Sequence, residues 1–248
     1  MASQTATTDK VNWSGGTMPF KARYGKLMMW YFLLSDAFTF TTFLVTYGLL
    51  RFSTDYWPDP NDVFSSAPFG IHNAPLAFVS FMTFMLILSS VFVVLAVIEG
   101  HRLNRKGVML WMGLGIIGGI IFLGSQAWEW THLKHEGLWF DQNTSMIDAD
   151  TGDTYFEHTL HEMEESGETL PENLVPAPKL FTSLFFFITG FHGLHVFSGI
   201  ILNIIAWINT AKGVYDRKKD YEMIEKMGLY WHFVDLVWVF VFLCFYLL

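Results

Sequence analysis

The run LFTSLFFFITGFHGLHVFSGIILNIIAWINTA, residues 180–211, decides the fold: it is 32 residues long and contains no Lys, Arg, Asp or Glu. A hydrocarbon core of roughly 30 Å needs about 20 helical residues to cross, so this run can span one. Four further apolar runs, 27–50, 75–98, 108–132 and 228–248, have the same character. They predict an all-α protein, an integral membrane bundle of five transmembrane helices. The membrane domain covers 27–248 behind a polar segment, 1–26. Composition agrees, with 52% hydrophobic and 15% charged residues where a soluble domain carries about a quarter charged. The single cysteine, Cys244, excludes an intrachain disulfide. Residues 1–20 lack the apolar core of a signal peptide, so insertion is expected to rely on the first helix.

Basic residues predict the orientation, because Lys and Arg are retained on the cytoplasmic side. Twelve of the 15 fall before helix 1, between helices 2 and 3, and between helices 4 and 5. Only Arg51, Lys134 and Lys179 fall on the other side. The N-terminus is therefore expected in the cytoplasm and the C-terminus in the periplasm, which five crossings allow. Trp30, Trp57, Trp111, Trp128, Trp130, Trp139, Trp207 and Trp231 lie near predicted helix ends, as interfacial anchors should. Gly115 and Gly119, with Gly118 between them, form a small-xxx-small pattern that invites close approach of another helix.

Net charge is −8, and most of the acid sits in the loop 133–179. This loop is expected to be periplasmic, with a short polar helix over 153–167. It reads either as a solvated connection or as an electrostatic surface for a basic partner such as a cytochrome c. No nucleic-acid partner is expected of so acidic a chain. No internal repeat supports the paired architecture of secondary transporters.

Ionisable groups inside a bilayer cost about 2.5–3.5 kcal/mol on insertion scales, so each is a functional candidate. Here they are Asp36, Glu129, His192, His195, His232 and Asp235. Counting about 1.5 Å per residue puts Asp36 and His192 at matching depths, with His195 one turn from His192 on the same face. His232 and Asp235 repeat that spacing, so five polar groups from three helices are expected to meet in the inner leaflet. Glu129, with Gln126 a turn before it, belongs near the outer end of helix 3. Three readings compete: a structural network, proton handling, and haem or metal ligation. Ligation is disfavoured because His192 and His195 share one helix face. His158, His161 and Glu162 form no H-E-x-x-H arrangement, since position 165 is Glu165.

Four strings resemble the haem-copper respiratory oxidase subunit III family of the five-helix bacterial type. These are WYFLLSDAF at 30–38, GSQAWEW at 124–130, TGFHGLHV at 189–196 and YWHFVDLVW at 230–238. Their order and helix placement agree over roughly residues 26–248. Mitochondrial members have seven helices, and this chain lacks the first two. The acidic loop has no counterpart in the family pattern. The resemblance implies a subunit with no haem, copper or other metal of its own, seated beside catalytic subunit I with subunit II in the complex. It implies support of proton uptake and turnover stability, with Asp36, Glu129, His192, His195, His232 and Asp235 as the polar motif positions. It also implies bound phospholipid, for which Arg23, Arg51 and Arg102 are candidate phosphate partners. The expected setting is a bacterial inner membrane, in a terminal oxidase reducing oxygen to water and moving protons. Cytochrome c is the expected donor. A quinol oxidase, a nitric-oxide-reducing complex and a stand-alone proton-coupled transporter are the alternatives.

Overall fold

The computed structural model describes residues 24–64, 76–140, 142–167, 169–218 and 220–247. Arg23 lies outside them. Five helices are long and apolar enough to cross a membrane: α1 (Tyr24–Ser53), α3 (Ala77–His101), α4 (Arg105–His135), α6 (Lys179–Ala211) and α8 (Glu222–Phe242), the last continued by a π-helical turn, Leu243–Leu247. The expected spans are all present, and each runs past its sequence bounds at one end or both, α6 by a single residue. Polar first and last turns such as Arg105–Lys106 or Glu222–Lys226 extend a helix into the headgroup region, where hydropathy alone ends it. Short helices α2 (Pro60–Val63) and α7 (Val214–Lys218) lie in the connections, and α5 (Glu157–Ser166) lies in the loop. α5 falls within the expected 153–167.

The α3–α4 hairpin is the tightest pairing. Lipid tails are as apolar as the helices, so association depends on close packing rather than on burial from water. A Cβ on Gly118 would stand 2.7 Å from Ser89 Cβ, and one on Gly115 would stand 2.8 Å from Val93 Cγ2. That closeness lets Ser89 Oγ donate to the Gly115 carbonyl at 2.7 Å. Gly119 instead accommodates Trp231, whose ring would be 2.7 Å from an added Cβ. Trp231 is 1% exposed and its Nε1 donates to Ser89 Oγ at 3.1 Å, so it is a core residue and not the expected interfacial anchor.

α1 is attached differently. Over its 30 residues only Leu33, Phe40 and Tyr47 are buried, one residue every seven. Thr39, Thr41, Thr42 and Thr46 return their hydroxyls to the carbonyl four residues back, which satisfies them in an apolar setting. At its start Lys26 pairs with Glu225 of α8. The ends carrying Lys26, Arg102 and Arg105 form one side of the bundle, here the basic end; the other is the loop end.

The loop is more ordered than a solvated connection. Leu138–Trp139 and Gln142–Asn143 form a hairpin, β1–β2. Met146–Asp148 (β3) pairs antiparallel with Thr154–Tyr155 (β4) on one side and Leu174–Pro176 (β5) on the other. Gly152, at φ 84°, closes the β3–β4 turn, a conformation glycine adopts at no steric cost. The sheet is tied to α2, where Thr154 N donates to Asp62 Oδ2 and Asp59 N donates to Thr154 Oγ1, each at 2.9 Å. Burial, opposed by the Thr154 amide, raises the Asp62 carboxyl above its ordinary value.

Candidate functional site

Asp36 on α1 faces His195 on α6, with Oδ2 2.8 Å from Nε2 and both side chains 16% exposed. The other ring nitrogen, Nδ1, is 2.8 Å from the Phe191 carbonyl. A carbonyl can only accept, so Nδ1 donates to it and Nε2 is the nitrogen that faces the carboxyl. Phe40 packs edge-on against His195 at 5.4 Å between centroids. Below the ring, Tyr230 from α8 donates to the His195 carbonyl at 3.1 Å and joins Ser198 Oγ at 2.8 Å. Three helices thus meet at a carboxyl–imidazole pair.

His232 and Asp235 belong elsewhere. His232 Nδ1 is 2.6 Å from Ser90 Oγ on α3, and the same hydroxyl lies beside Asp235. The expected single cluster of five is therefore two, Asp36–His195 and Ser90–His232–Asp235, on different faces of α8. The cause is rotational: α8 turns Phe233, Leu236 and Phe240 toward α1, leaving His232 and Asp235 on the α3 side. His192 joins neither. It is 1% exposed, ringed by Phe40, Phe122 and Trp238, and its nitrogens make no hydrogen bond among the described residues.

Glu129 lies toward the loop end of α4, as expected, and is 5% exposed. Gln126 Nε2 donates to its Oε2 at 2.9 Å, and Tyr246 OH stands 3.1 and 3.0 Å from its two oxygens. Tyr246 comes from the π-helical turn, an irregularity frequent at functional sites. No hydropathy signal marks that turn, and Ser90 sits unremarkably in an apolar run. Both were out of reach of the sequence.

A haem iron or copper does not suit these donors. His195 has both nitrogens committed, and His192 is walled by rings with no second donor beside it. Among the described residues, no three His, Cys, Asp or Glu side chains come together as a metal site. Of the lipid candidates, Arg51 ends α1 beside Tyr47, and Arg102 follows α3 with Nη1 3.1 Å from Glu99 Oε1.

The comparisons bear on the same helices. A family model described as cytochrome c oxidase subunit III matches residues 153–248, which include the TGFHGLHV and YWHFVDLVW strings. The chain is 28% identical to cytochrome c oxidase subunit 3 of Alkalihalophilus pseudofirmus, over 90% of this chain and 85% of that protein. The chain is thus similar to subunit 3 of cytochrome c oxidases. It is equally similar, at 28% identity over 95% of its length and 94% of the relative's, to quinol oxidase subunit 3 of Bacillus spizizenii. Cytochrome bo(3) ubiquinol oxidase subunit 3 of Pseudomonas aeruginosa matches at 27%, over 88% and 82%. Five helices long and apolar enough to cross a membrane, together with these bacterial membrane-oxidase relatives, support a multi-pass protein of a bacterial inner membrane.

Proposed function

We propose that this chain is the non-redox subunit III of a proton-translocating terminal oxidase that reduces oxygen to water. It sits directly beside catalytic subunit I, with haem and copper in the partner subunits, and supports proton uptake and the lifetime of turnover. The observation that carries this is the Asp36–His195 pair, a carboxyl and an imidazole 2.8 Å apart on helices of membrane-spanning length. Such a pair can pass a proton between carboxyl and imidazole without a change of its net charge in lipid. The count of basic residues supports a basic end in the cytoplasm. Asp36 is then about 18 Å along α1 from that side, at about 1.5 Å per residue.

Cytochrome c is the proposed donor. The support is the loop, whose acidic surface on the periplasmic side suits a basic protein. A quinol donor is the second reading, favoured by the equal identity to quinol oxidase subunits. Phospholipid is proposed in the apolar groove of about 370 Å³ between α1 and α8, walled by Ala37, Phe40, Leu44, Phe233 and Phe240. Arg51 and Arg102 are proposed phosphate partners at opposite ends of the bundle.

The test is purification in mild detergent, followed by a visible spectrum and oxygen uptake with reduced cytochrome c or quinol. Co-purifying haem subunits and uptake driven by cytochrome c are expected. A chain isolated without any haem-bearing partner overturns the oxidase role, and uptake driven by quinol alone overturns the donor.

A further inference from the structure

The buried Glu129 is connected to the loop end by a line of titratable groups that Asp36–His195 does not use. We infer that Glu129, His132, Glu136 and His158 form a proton path between the membrane interior and the aqueous cleft under α5. Which side of the membrane that cleft faces rests on the orientation proposed above; the path itself does not.

The spacing comes from α4. Residues 129, 132 and 136 follow at three and then four positions, which places them on one helix face. His132 Nε2 lies 3.7 Å from Glu136 Oε1, and His158 Nδ1, from α5, lies 3.0 Å from Glu136 Oε2. Between Glu129 and His132 is a cavity of about 10 Å³, walled otherwise by apolar groups of α2, α3 and α4. That is roughly the least room one water needs, and two polar walls give it partners. At the far end, His158 is 54% exposed and opens on a cleft of about 490 Å³ that Glu157, His161 and Glu162 also line.

The site's ligand is the proton. Glu129 is held by two neutral donors, Gln126 and Tyr246, and no cation is hydrogen-bonded to it among the described residues. A carboxylate there would stand charged in an apolar surround, which is costly, whereas a carboxyl able to gain and lose a proton need not. One proton taken from water by His158 passes to the Glu136 carboxylate and then to the His132 imidazole. Across the small cavity it forms an O–H bond on Glu129. Each intermediate group returns to its starting state, and the reverse sequence releases the proton. Lys134, on the neighbouring turn, is turned away over the Trp139 ring at 4.9 Å, so it does not neutralise Glu136.

Infrared spectroscopy of the purified protein with its partners tests this. The carboxylic C=O band that Glu129→Gln removes should shift on transfer to deuterated water, and its rate reports proton access. Glu136→Gln keeps shape and hydrogen bonding but cannot carry the proton, so exchange should slow by roughly 100-fold, the low end for a positioned acid–base group. His158→Gln should slow it too, and Glu136→Asp should recover part of the rate. A merely structural role predicts the opposite, since a loosened cap speeds exchange. Wild-type exchange in both Gln variants overturns the path, as does a spectrum in which Glu129→Gln removes no band. A chain that purifies without haem partners would sink the oxidase role and leave this measurement intact.

Discussion

α1 and the α3–α4 hairpin are both membrane helices of about the same length, but they are held by different physics. The hairpin is closed by missing side chains: Gly115 and Gly118 bring backbones near enough for Ser89 to bond across. α1 makes no such approach. An added Cβ on its Gly48 would meet nothing within 4 Å, and its burial is limited to Leu33, Phe40 and Tyr47. What fastens it is polar or aromatic: Asp36 on His195, Lys26 on Glu225, Tyr47 against Phe245 at 4.0 Å. In a solvent that offers no hydrophobic drive, a helix can be welded by shape or pinned by a few strong contacts. The pinned helix is the one that carries Asp36.

The contrast is broken most directly at Gly118. Gly118→Leu should cost about 3 kcal/mol, the upper range for overpacking, and be seen as a large drop in the thermal midpoint of the purified complex. A harmless Gly118→Leu would end the welded picture. Next, Glu129→Ala should cost about 2 kcal/mol by leaving the Tyr246 hydroxyl and Gln126 amide without their acceptor, with Glu129→Gln milder in the same melt. Asp36→Ala should leave insertion intact and cost about 1–2 kcal/mol through the stranded imidazole, read as slower turnover or faster inactivation. Full wild-type lifetime would make that contact incidental. Lys26→Met, at a partly exposed pair, should cost under about 1 kcal/mol and fade with added salt.

The smallest effect is a pH dependence in the loop. The fold raises the Asp62 carboxyl, so the folded form binds its proton more readily than the unfolded chain does. The contribution is present at acid pH and is lost as pH rises through the raised value. Protease resistance of the loop should therefore fall slightly across that window in wild type, and Asp62→Asn should flatten the trend.

The spans were legible because a continuous apolar run is a one-dimensional signal that needs no partner to interpret. Helix spacing also foretold that His192 and His195 share an α6 face and that Gly115 and Gly119, with Gly118 between them, lie where other helices come close. That Gly118 rather than Gly119 joins Gly115 against α3 was not legible. Rotation about a helix axis relative to its neighbours was not legible, which is why His232 and Asp235 were grouped with Asp36 and were found beside Ser90. Trp231 misled for a related reason. Its position in the chain suggested an interface, while Gly119 and Gly199, remote in sequence, shape a slot for its ring. The β-structure of the loop was hidden because strands of two or three residues are too short to show alternation.

The π-helical turn at Leu243–Leu247 has a consequence for how this protein tolerates change in length. Such a turn carries one residue more than ordinary pitch would need. Excising a single residue there would regularise the coil and swing the terminal ring by about 100°. Tyr246 would then leave the buried carboxyl for the acyl chains, so a deletion at the very edge of the bundle would be felt at Glu129, on another helix.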